Sequence, residues 1–507
     1  MQIQPGALTL QQLRQVRQGV DAIELPLASW EVIRSASDTV NRIAQDPAPA
    51  YGINTGFGRL ANTQIAPSEL ELLQRNLVLS HAVGVGEPLT DMVVRMVLLL
   101  KIASLAQGFS GITVELMELL IAFLENDILP VIPSQGSVGA SGDLAPLAHL
   151  AATLIGVGEV RIEGKTVPAL EGLRRLHREP VVLKPKEGLA LLNGTQVSTA
   201  LAIEGLFAID QVARSAIVTG ALSVDAAAGS VVPFDPRIQA VRGHPGQQAV
   251  ARAYLSLLNG SGITQWHQDC EKVQDPYSLR CQPQVMGSVL EVLGWCGDRL
   301  LVEANGVSDN PLVFTENNEV LSGGNFHAEP VAMVCDFLAI AASEIGGLAE
   351  RRIALLIDAT LSGLPPFLVK NGGVNSGFMI AHVTAASLAS ENKSLAHPAS
   401  VDSIPTSANQ EDHVSMATFA ARRLAPLARN VATIIAIELL AAVQGIELRA
   451  PVSTSAILSD VISCLREVVP HYDVDHYMAP DIQAALGLVE EGVIGGFCPC
   501  EFLTEQE

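Results

Sequence analysis

The segment GSVGASGDLAPLAH, residues 136–149, places Ser141 among small residues and just before the acidic Asp143. Three structures can use such a segment: a plain turn before a helix, a glycine loop that binds an anion, or a backbone that reacts with itself. A turn is the ordinary interpretation, because Ser141 or Asp143 can cap the helix predicted after them. Anion binding is disfavoured, because no Lys follows the glycines and Asp143 would repel a phosphate.

The third interpretation is a cyclisation of the backbone of Ala140, Ser141 and Gly142. The amide nitrogen of Gly142 would attack the carbonyl carbon of Ala140, and glycine permits this approach because it has no Cβ. Loss of one water closes a five-membered ring, and loss of the Ser141 hydroxyl as a second water leaves a methylidene group. The product, 4-methylidene-imidazol-5-one (MIO), is an electrophile of a kind that ordinary side chains do not supply.

The composition excludes several classes of partner. The 507 residues carry 31 Lys and Arg against 53 Asp and Glu, a net charge of −22, which disfavours nucleic acid and anionic lipid. The most apolar run, NVATIIAIELLAAVQGIEL, contains Glu438 and follows Arg429, so we expect no membrane span. The first residues lack a signal-peptide pattern, and we expect a cytoplasmic protein. Cys498 and Cys500 form an isolated CPC, a weak metal signal, so no metal is expected.

Helices are the elements that must position the reactive segment. Only 17% of the residues are charged, below the usual quarter or so, and we expect much surface to be buried between subunits. From about residue 185 onward, long Ala/Leu/Ile segments predict helices buried on several sides. One runs from Met416 to Ile446, where Leu424 and Leu427 begin an apolar face and Pro426 predicts a kink.

Several blocks resemble one known family. GSVGASGDLAPLAH resembles the cofactor signature of the MIO-dependent aromatic amino acid ammonia-lyases, whose ring forms from Ala-Ser-Gly. The chain also carries, in the family's order, YGINTGFG, KEGLALLNGTQ, KVQDPYSLRCQPQVMG, VSDNPLVF, SGGNFHAEPVAM, NGGVNSGFMIA and PTSANQEDHVSM. The resemblance covers the chain from about Tyr51 to its last 100 residues. It implies that Ala140, Ser141 and Gly142 form MIO, with no external cofactor.

The resemblance also implies an architecture. It predicts the mainly α fold of the ammonia-lyase/fumarase-like superfamily, with a long central helical bundle and a smaller mixed α/β N-terminal domain. We place the N-terminal domain at residues 1–110 and the helical domain at residues 111–507. Family members form homotetramers whose active sites draw residues from three chains, which agrees with the low fraction of charged residues.

The family's site residues map onto residues of this chain. Tyr51 resembles the catalytic base, although a loop tyrosine is more often a packing residue. Arg280 matches the carboxylate-binding arginine, a task that suits the guanidinium fork. Tyr277 lies three residues before it, on the same face of a helix, and Gln274 three earlier again. The remaining correspondences are Asn193, which orients the substrate or the MIO carbonyl, and Phe326, which lies beside MIO.

Two positions favour histidine as the substrate. One is the pair Ser80 and His81. At these two positions the family's phenylalanine enzymes carry Phe-Leu and its tyrosine enzymes carry His-Leu. Glu411 stands where aromatic lyases tend to carry Gln, and a carboxylate can pair with an imidazole or move its proton. Against a phenyl ring it would be an unpaired buried charge. We therefore expect elimination of ammonia from L-histidine to give trans-urocanate, with Tyr51 or Glu411 removing the β-proton.

Three other functions are weighed against this expectation. A phenylalanine or tyrosine ammonia-lyase, or an aminomutase, would use the same scaffold, but His81 and Glu411 disfavour it. A non-catalytic helical assembly protein would not need Tyr51, Ser141 or Arg280. A fumarase-like lyase would need a GSSxMPxKxN-type loop, which the sequence lacks.

Overall fold

The computed structural model describes residues 1–266 and 273–503 of a mainly helical chain, as predicted. The helices are α1 Leu10–Val16, α2 Leu27–Ala44, α3 Leu70–His81, α4 Asp91–Leu105, α5 Val114–Glu125, α6 Leu144–Leu154, α7 Ala169–Arg175, α8 Glu187–Leu192, α9 Gln196–Ala226, α10 Pro236–Arg242, α11 Pro245–Leu258, α12 Gly262–Trp266, α13 Tyr277–Arg280, α14 Gln282–Ala304, α15 Glu329–Ile357, α16 Ala359–Ser362, α17 Met379–Leu395, α18 Ala417–Arg422, α19 Leu424–Glu447, α20 Ala456–Arg466 and α21 Ala479–Glu490. The strands are β1 Val85–Pro88, β2 Leu129–Pro130, β3 Pro133–Gln135, β4 Glu159–Ile162, β5 Lys165–Pro168, β6 Leu312–Phe314 and β7 Glu319–Leu321.

The long helices α9, α14, α15 and α19 pack against one another and form the centre of the molecule. Helix α9 is apolar around most of its circumference, which is typical of a helix with neighbours on several sides. A buried carboxylate joins three of these helices. Glu438 of α19 accepts hydrogen bonds from Arg352 of α15 and from Thr219 and Ser223 of α9, at 2.9, 2.8 and 2.7 Å. Removing one partner of such a buried pair typically costs about 3–5 kcal/mol.

The helix predicted from Met416 to Ile446 is interrupted. Helix α18 ends at Arg422 and α19 begins at Leu424. Pro426 explains the break, because it has no N–H to donate to the carbonyl of Arg422 four residues earlier. The interruption lets the short α18 contact α9 while α19 continues through the core.

Three small antiparallel sheets connect the helices to the loops of the site. The sheets pair β1 with β3, β2 with β4 and β5, and β6 with β7. In the first sheet Val85 pairs with Gln135. Because β1 follows His81 closely and β3 leads directly into Gly136, this pairing brings the end of α3 next to the reactive segment.

The core is largely continuous. One cluster of buried apolar residues extends from Ile3 to Leu503, and a smaller one lies around α2 and β6. The division into domains at residues 1–110 and 111–507 stays a prediction.

Two helical segments, Glu329–Ile357 and Ala417–Glu447, are long and apolar enough to cross a membrane. Their most apolar windows are 61% and 78% buried inside the chain, as in core helices of a folded protein.

Candidate active site

A cleft of about 940 Å³ gathers most of the predicted site residues. Its walls come from the loop after α2, the end of α3, the start of α6, the end of α8, the loop after β7 and the loop before α18. The predicted residues that line it are Tyr51, His81, Ala140, Ser141, Asn193, Phe326 and Glu411. Residues that are far apart in the sequence therefore share one cavity.

The Ala140–Ser141–Gly142 segment is held tightly from behind. Gly142 has a φ of +72°, and a Cβ at this position would lie 2.2 Å from the carbonyl oxygen of Gly194. The same oxygen accepts a hydrogen bond from the amide of Asp143 at 2.8 Å. Only glycine fits at residue 142, because any larger residue would meet backbone that cannot rotate away. Absence of a Cβ at Gly142 is also what ring closure requires.

Asp143 does not cap α6 with its side chain. Its buried carboxylate instead accepts hydrogen bonds from the amide and hydroxyl of Ser198, at 2.7 and 2.9 Å, and from Thr418 and Ser137, at 2.7 and 3.0 Å. Burial raises the pKa of Asp143, and the hydrogen bonds oppose this shift without cancelling it. Asp143 thereby ties the reactive segment to α9 and α18.

Glu411 contacts Ser141 directly. The Ser141 hydroxyl donates to Glu411 Oε1 at 2.6 Å, and Thr406 and Ser407 donate to Glu411 Oε2 at 2.6 and 2.8 Å. Burial acts to raise the pKa of Glu411, but these three hydrogen bonds outweigh it and the pKa lies below its ordinary value. Glu411 is therefore a carboxylate near neutral pH, half-buried beside Ser141.

The loop that carries Glu411 has an unusual backbone. Ser407, Ala408 and Asn409 have φ values of +51°, +54° and +66°, a left-handed conformation that is costly for residues other than glycine. The turn begins at Ser407, directly after Thr406. The hydroxyls of both residues donate to the same oxygen, Glu411 Oε2.

His81 lies at the end of α3 with a defined tautomer. Its Nδ1 is 2.8 Å from the carbonyl oxygen of Leu77, which can only accept, so Nδ1 carries the hydrogen. Burial lowers the pKa of His81, although the Leu77 hydrogen bond and the nearby Glu411 oppose the shift. The ring is therefore neutral near pH 7, and its Nε2 is left as an acceptor for an N–H group.

The cavity's other predicted residues have simpler surroundings. The Tyr51 hydroxyl accepts a weak hydrogen bond from the amide of Gly58 at 3.4 Å. Asn193 is buried, and its side-chain amide donates to the carbonyl of Asn310 at 2.8 Å. Phe326 lines the same cavity.

Gln274, Tyr277 and Arg280 do not line this cavity. The Arg280 guanidinium lies over the Tyr277 ring, 4.6 Å from its centroid, and Arg280 Nε donates to the carbonyl of Asp275 at 2.9 Å. Tyr277 is 70% exposed and Gln274 is also exposed. Arg280 itself is partly buried, so a single chain exposes Gln274 and Tyr277 and keeps Arg280 outside the cavity.

Two histidines of the cavity were not predicted from the sequence. His327 and His413 stack with their ring centroids 5.8 Å apart, and His327 Nε2 lies 3.0 Å from the carbonyl oxygen of His413. The contact joins the loop of Phe326 to the loop of Glu411. His327 follows Phe326 directly, and His413 lies two residues after Glu411. This closeness to predicted site residues could have identified both histidines from the sequence.

Comparisons with known proteins agree with this geometry. The sequence model of the family described as "aromatic amino acid lyase" matches residues 8–467. The chain is 63% identical over 502 residues to a histidine ammonia-lyase of Burkholderia cenocepacia, covering 99% of both proteins.

Solved structures share the fold. The histidine ammonia-lyase of Trypanosoma cruzi has a TM-score of 0.90 and 43% identity, covering 99% of this chain and 96% of that one. A tyrosine aminomutase of Streptomyces globisporus has a TM-score of 0.91 and 35% identity, covering 97% of each chain. These matches confirm the predicted fold class and the resemblance seen in the sequence. The chain belongs to the aromatic amino acid lyase family.

Proposed function

We propose that this chain is a histidine ammonia-lyase, which eliminates ammonia from L-histidine and releases trans-urocanate. One observation carries the proposal: neutral His81 and ionised Glu411 line the same cavity as Ser141. His81 Nε2 can accept the N–H of a substrate imidazole, and Glu411 can take a second proton or pair with the imidazolium. Curated relatives named histidine ammonia-lyase support this assignment over an enzyme for phenylalanine or tyrosine.

We infer that Ala140, Ser141 and Gly142 form MIO. The segment fits this group because Gly142 has no Cβ, Ala140 is 4% exposed, and the Asp143 amide is anchored to Gly194. The Ser141 hydroxyl, which must leave as water, donates to Glu411. When formed, the ring would supply an electrophile for the substrate's amine or for its imidazole ring, either of which promotes departure of the amine.

The chain's own side chains supply binding and proton transfer. Tyr51 and Glu411 both lie in the cavity, and we assign removal of the β-proton to one of these two groups. Asn193 orients the substrate or the MIO carbonyl, and Phe326 packs beside the ring. A phenyl group offers no hydrogen-bond partner to the charged Glu411 carboxylate, and this mismatch disfavours phenylalanine.

We propose that the active enzyme is a homotetramer whose sites combine three chains. Arg280 is the carboxylate-binding residue, yet it lies outside its own chain's cavity, and a neighbouring chain would supply it. Exposed apolar residues on one face of α15 support subunit contact there: Met333, Phe337 and Ile340 are 47, 41 and 47% exposed. Gln274 and Tyr277 would accompany Arg280 into the neighbour's cavity.

We place the enzyme in the cytoplasm. Every cysteine among residues 1–266 and 273–503 is a free thiol, including Cys498 and Cys500, which suits a reducing compartment.

Replacing Ser141 with Ala tests the assignment of MIO. Ser141→Ala removes the hydroxyl that is lost in ring formation and one hydrogen bond to Glu411. We expect a folded, assembled protein whose intact mass shows no loss of water and which releases almost no ammonia from L-histidine. Wild-type turnover in Ser141→Ala would contradict MIO chemistry. Circular dichroism and size-exclusion chromatography serve as controls for folding and assembly.

A further inference from the structure

A buried lysine lies behind Asn193. Lys101 lies within the buried run Met96–Ile102 of α4, whose other residues are apolar, and is 1% exposed. Its Nζ donates to the carbonyl oxygens of Asn193 and Ala190 at 2.6 and 2.9 Å. Within residues 1–266 and 273–503, Nζ has no carboxylate within ion-pair distance. Lysine is rarely buried without such a partner, so this position bears a cost that ordinary packing would avoid.

The environment favours the neutral form of this lysine. Burial lowers the pKa of Lys101 to about 7, against the opposing attraction of Asp309. A neutral amine still has two N–H donors, which matches the two carbonyls it contacts. The hydrogen bonds therefore persist in either protonation state.

A second buried lysine holds the other end of Asn193. The Asn193 side-chain amide donates to the carbonyl of Asn310. The amide of Asn310 in turn donates to Asp309 Oδ1 at 2.7 Å, and Lys186 Nζ donates to Asp309 Oδ2 at 2.6 Å. Lys186 and Asp309 are 0 and 3% exposed. Asn193 is thus fixed at its backbone carbonyl through Lys101 and at its side chain through Lys186.

The same peptide reaches the ring-forming segment. Lys101 holds the carbonyl of Asn193, and the next carbonyl along the chain, that of Gly194, accepts from the Asp143 amide. Gly142 packs directly on Gly194, with no room for a Cβ between them. A shift of the Asn193–Gly194 peptide would therefore move both the Asn193 side chain and the wall behind Gly142.

We propose that Lys101 is a positioning residue for the reaction, which sets the Asn193 side chain in the cavity and the Gly194 backbone against Gly142. This inference rests on the proposed function, because it assumes that both groups serve the ammonia-lyase reaction. Lys101 does not line the cavity and acts only through the peptide that it holds.

The test is Lys101→Met, which keeps a long side chain and removes the donors. Intact mass gives the fraction of chains that have lost two water molecules, and steady-state kinetics with L-histidine gives kcat per mature site. We expect incomplete ring formation, or a fall in kcat on the order of 100-fold with a smaller change in KM, as displacements of about 1 Å cause. Complete ring formation with kcat within about fivefold of wild type would overturn the proposal.

Arg352→Met is the matched control, because it removes a buried cation from the bundle core outside the cavity. We expect this variant to unfold at a lower temperature and to keep its ring and its kcat. An equal loss of kcat in Arg352→Met would also overturn the proposal, since general destabilisation would then explain both variants.

A second variant keeps the proposal testable if Lys101→Met does not fold. Lys101→Gln keeps a polar head, but its amide nitrogen is one atom nearer the backbone and cannot reach both carbonyls. It is expected to lose kcat in the same way, and wild-type kcat would refute the inference. An inactive wild-type protein would instead defeat the proposed function, so the two failures are distinguishable.

Discussion

Replacing Gly142 with Ala perturbs the backbone of residues 140–142, which we propose forms MIO. Gly142 has a φ of +72°, and an alanine held in this conformation costs about 1–2 kcal/mol. Its Cβ would also lie 2.2, 2.5 and 2.7 Å from the oxygen, carbon and nitrogen of Gly194. Relief of these contacts needs a separation of about 1 Å, enough to weaken a hydrogen bond such as that from Asp143 to Gly194.

We expect Gly142→Ala to block ring formation. The new Cβ hinders the approach of the residue 142 nitrogen to the Ala140 carbonyl, and the supporting backbone is displaced. Intact mass should show both water molecules retained, and ammonia release from L-histidine should fall by at least about 100-fold.

Gly164→Ala is the control for this prediction. Gly164 has a nearly equal φ of +74°, but a Cβ there meets no heavy atom within 4 Å. It carries the same conformational cost without the contact, and it should mature and turn over normally. A Gly142→Ala protein that loses two waters and works like Gly164→Ala would refute the assignment of residues 140–142.

Three further predictions concern the base, the shared site and the buried lysine. Glu411→Gln keeps the shape of the side chain but removes its charge, and kcat for L-histidine should fall by about 100-fold or more in a steady-state assay; unchanged kinetics would remove Glu411 from the mechanism. Mixed tetramers of Ser141→Ala and Arg280→Met, prepared by co-expression, should recover about a quarter of wild-type activity if Arg280 serves a neighbour's site, and none if each chain supplies both residues. Lys101 has a pKa of about 7 in the folded chain and an ordinary value of 10.5, so between these values the unfolded chain binds one more proton. The free energy of unfolding of wild type relative to Lys101→Met should therefore rise by about 1.4 kcal/mol per pH unit in this window, as measured by urea denaturation, and a constant difference would contradict the shift.

The sequence predicted residues that share the cavity better than the residues that support them. Ser141 and Glu411 stand 270 positions apart, yet each belongs to a motif, and the structure joins them by one hydrogen bond. Pro426 predicted a kink in one helix, and the structure shows two helices instead, α18 and α19.

The supporting residues depend on tertiary contacts that no local pattern encodes. Asp143 suggested a helix cap, but hydroxyls of Ser198 and Thr418, which lie elsewhere in the chain, surround it instead. Lys101 follows five apolar residues of α4, and nothing near it in the sequence identifies the carbonyls of Ala190 and Asn193 as its partners. Arg280 differs, because its motif predicted that it binds the substrate carboxylate, yet Arg280 does not line the cavity of its own chain.

The most direct test of the central claim is ultraviolet absorbance over time, with purified protein and L-histidine, L-phenylalanine or L-tyrosine in separate cuvettes. We predict that the conjugated urocanate band rises with L-histidine alone, because His81 and Glu411 recognise an imidazole. A cinnamate or coumarate band in place of urocanate would contradict the roles given to these two residues. No product from any of the three would contradict the ammonia-lyase assignment itself, provided that intact mass shows the two water molecules lost.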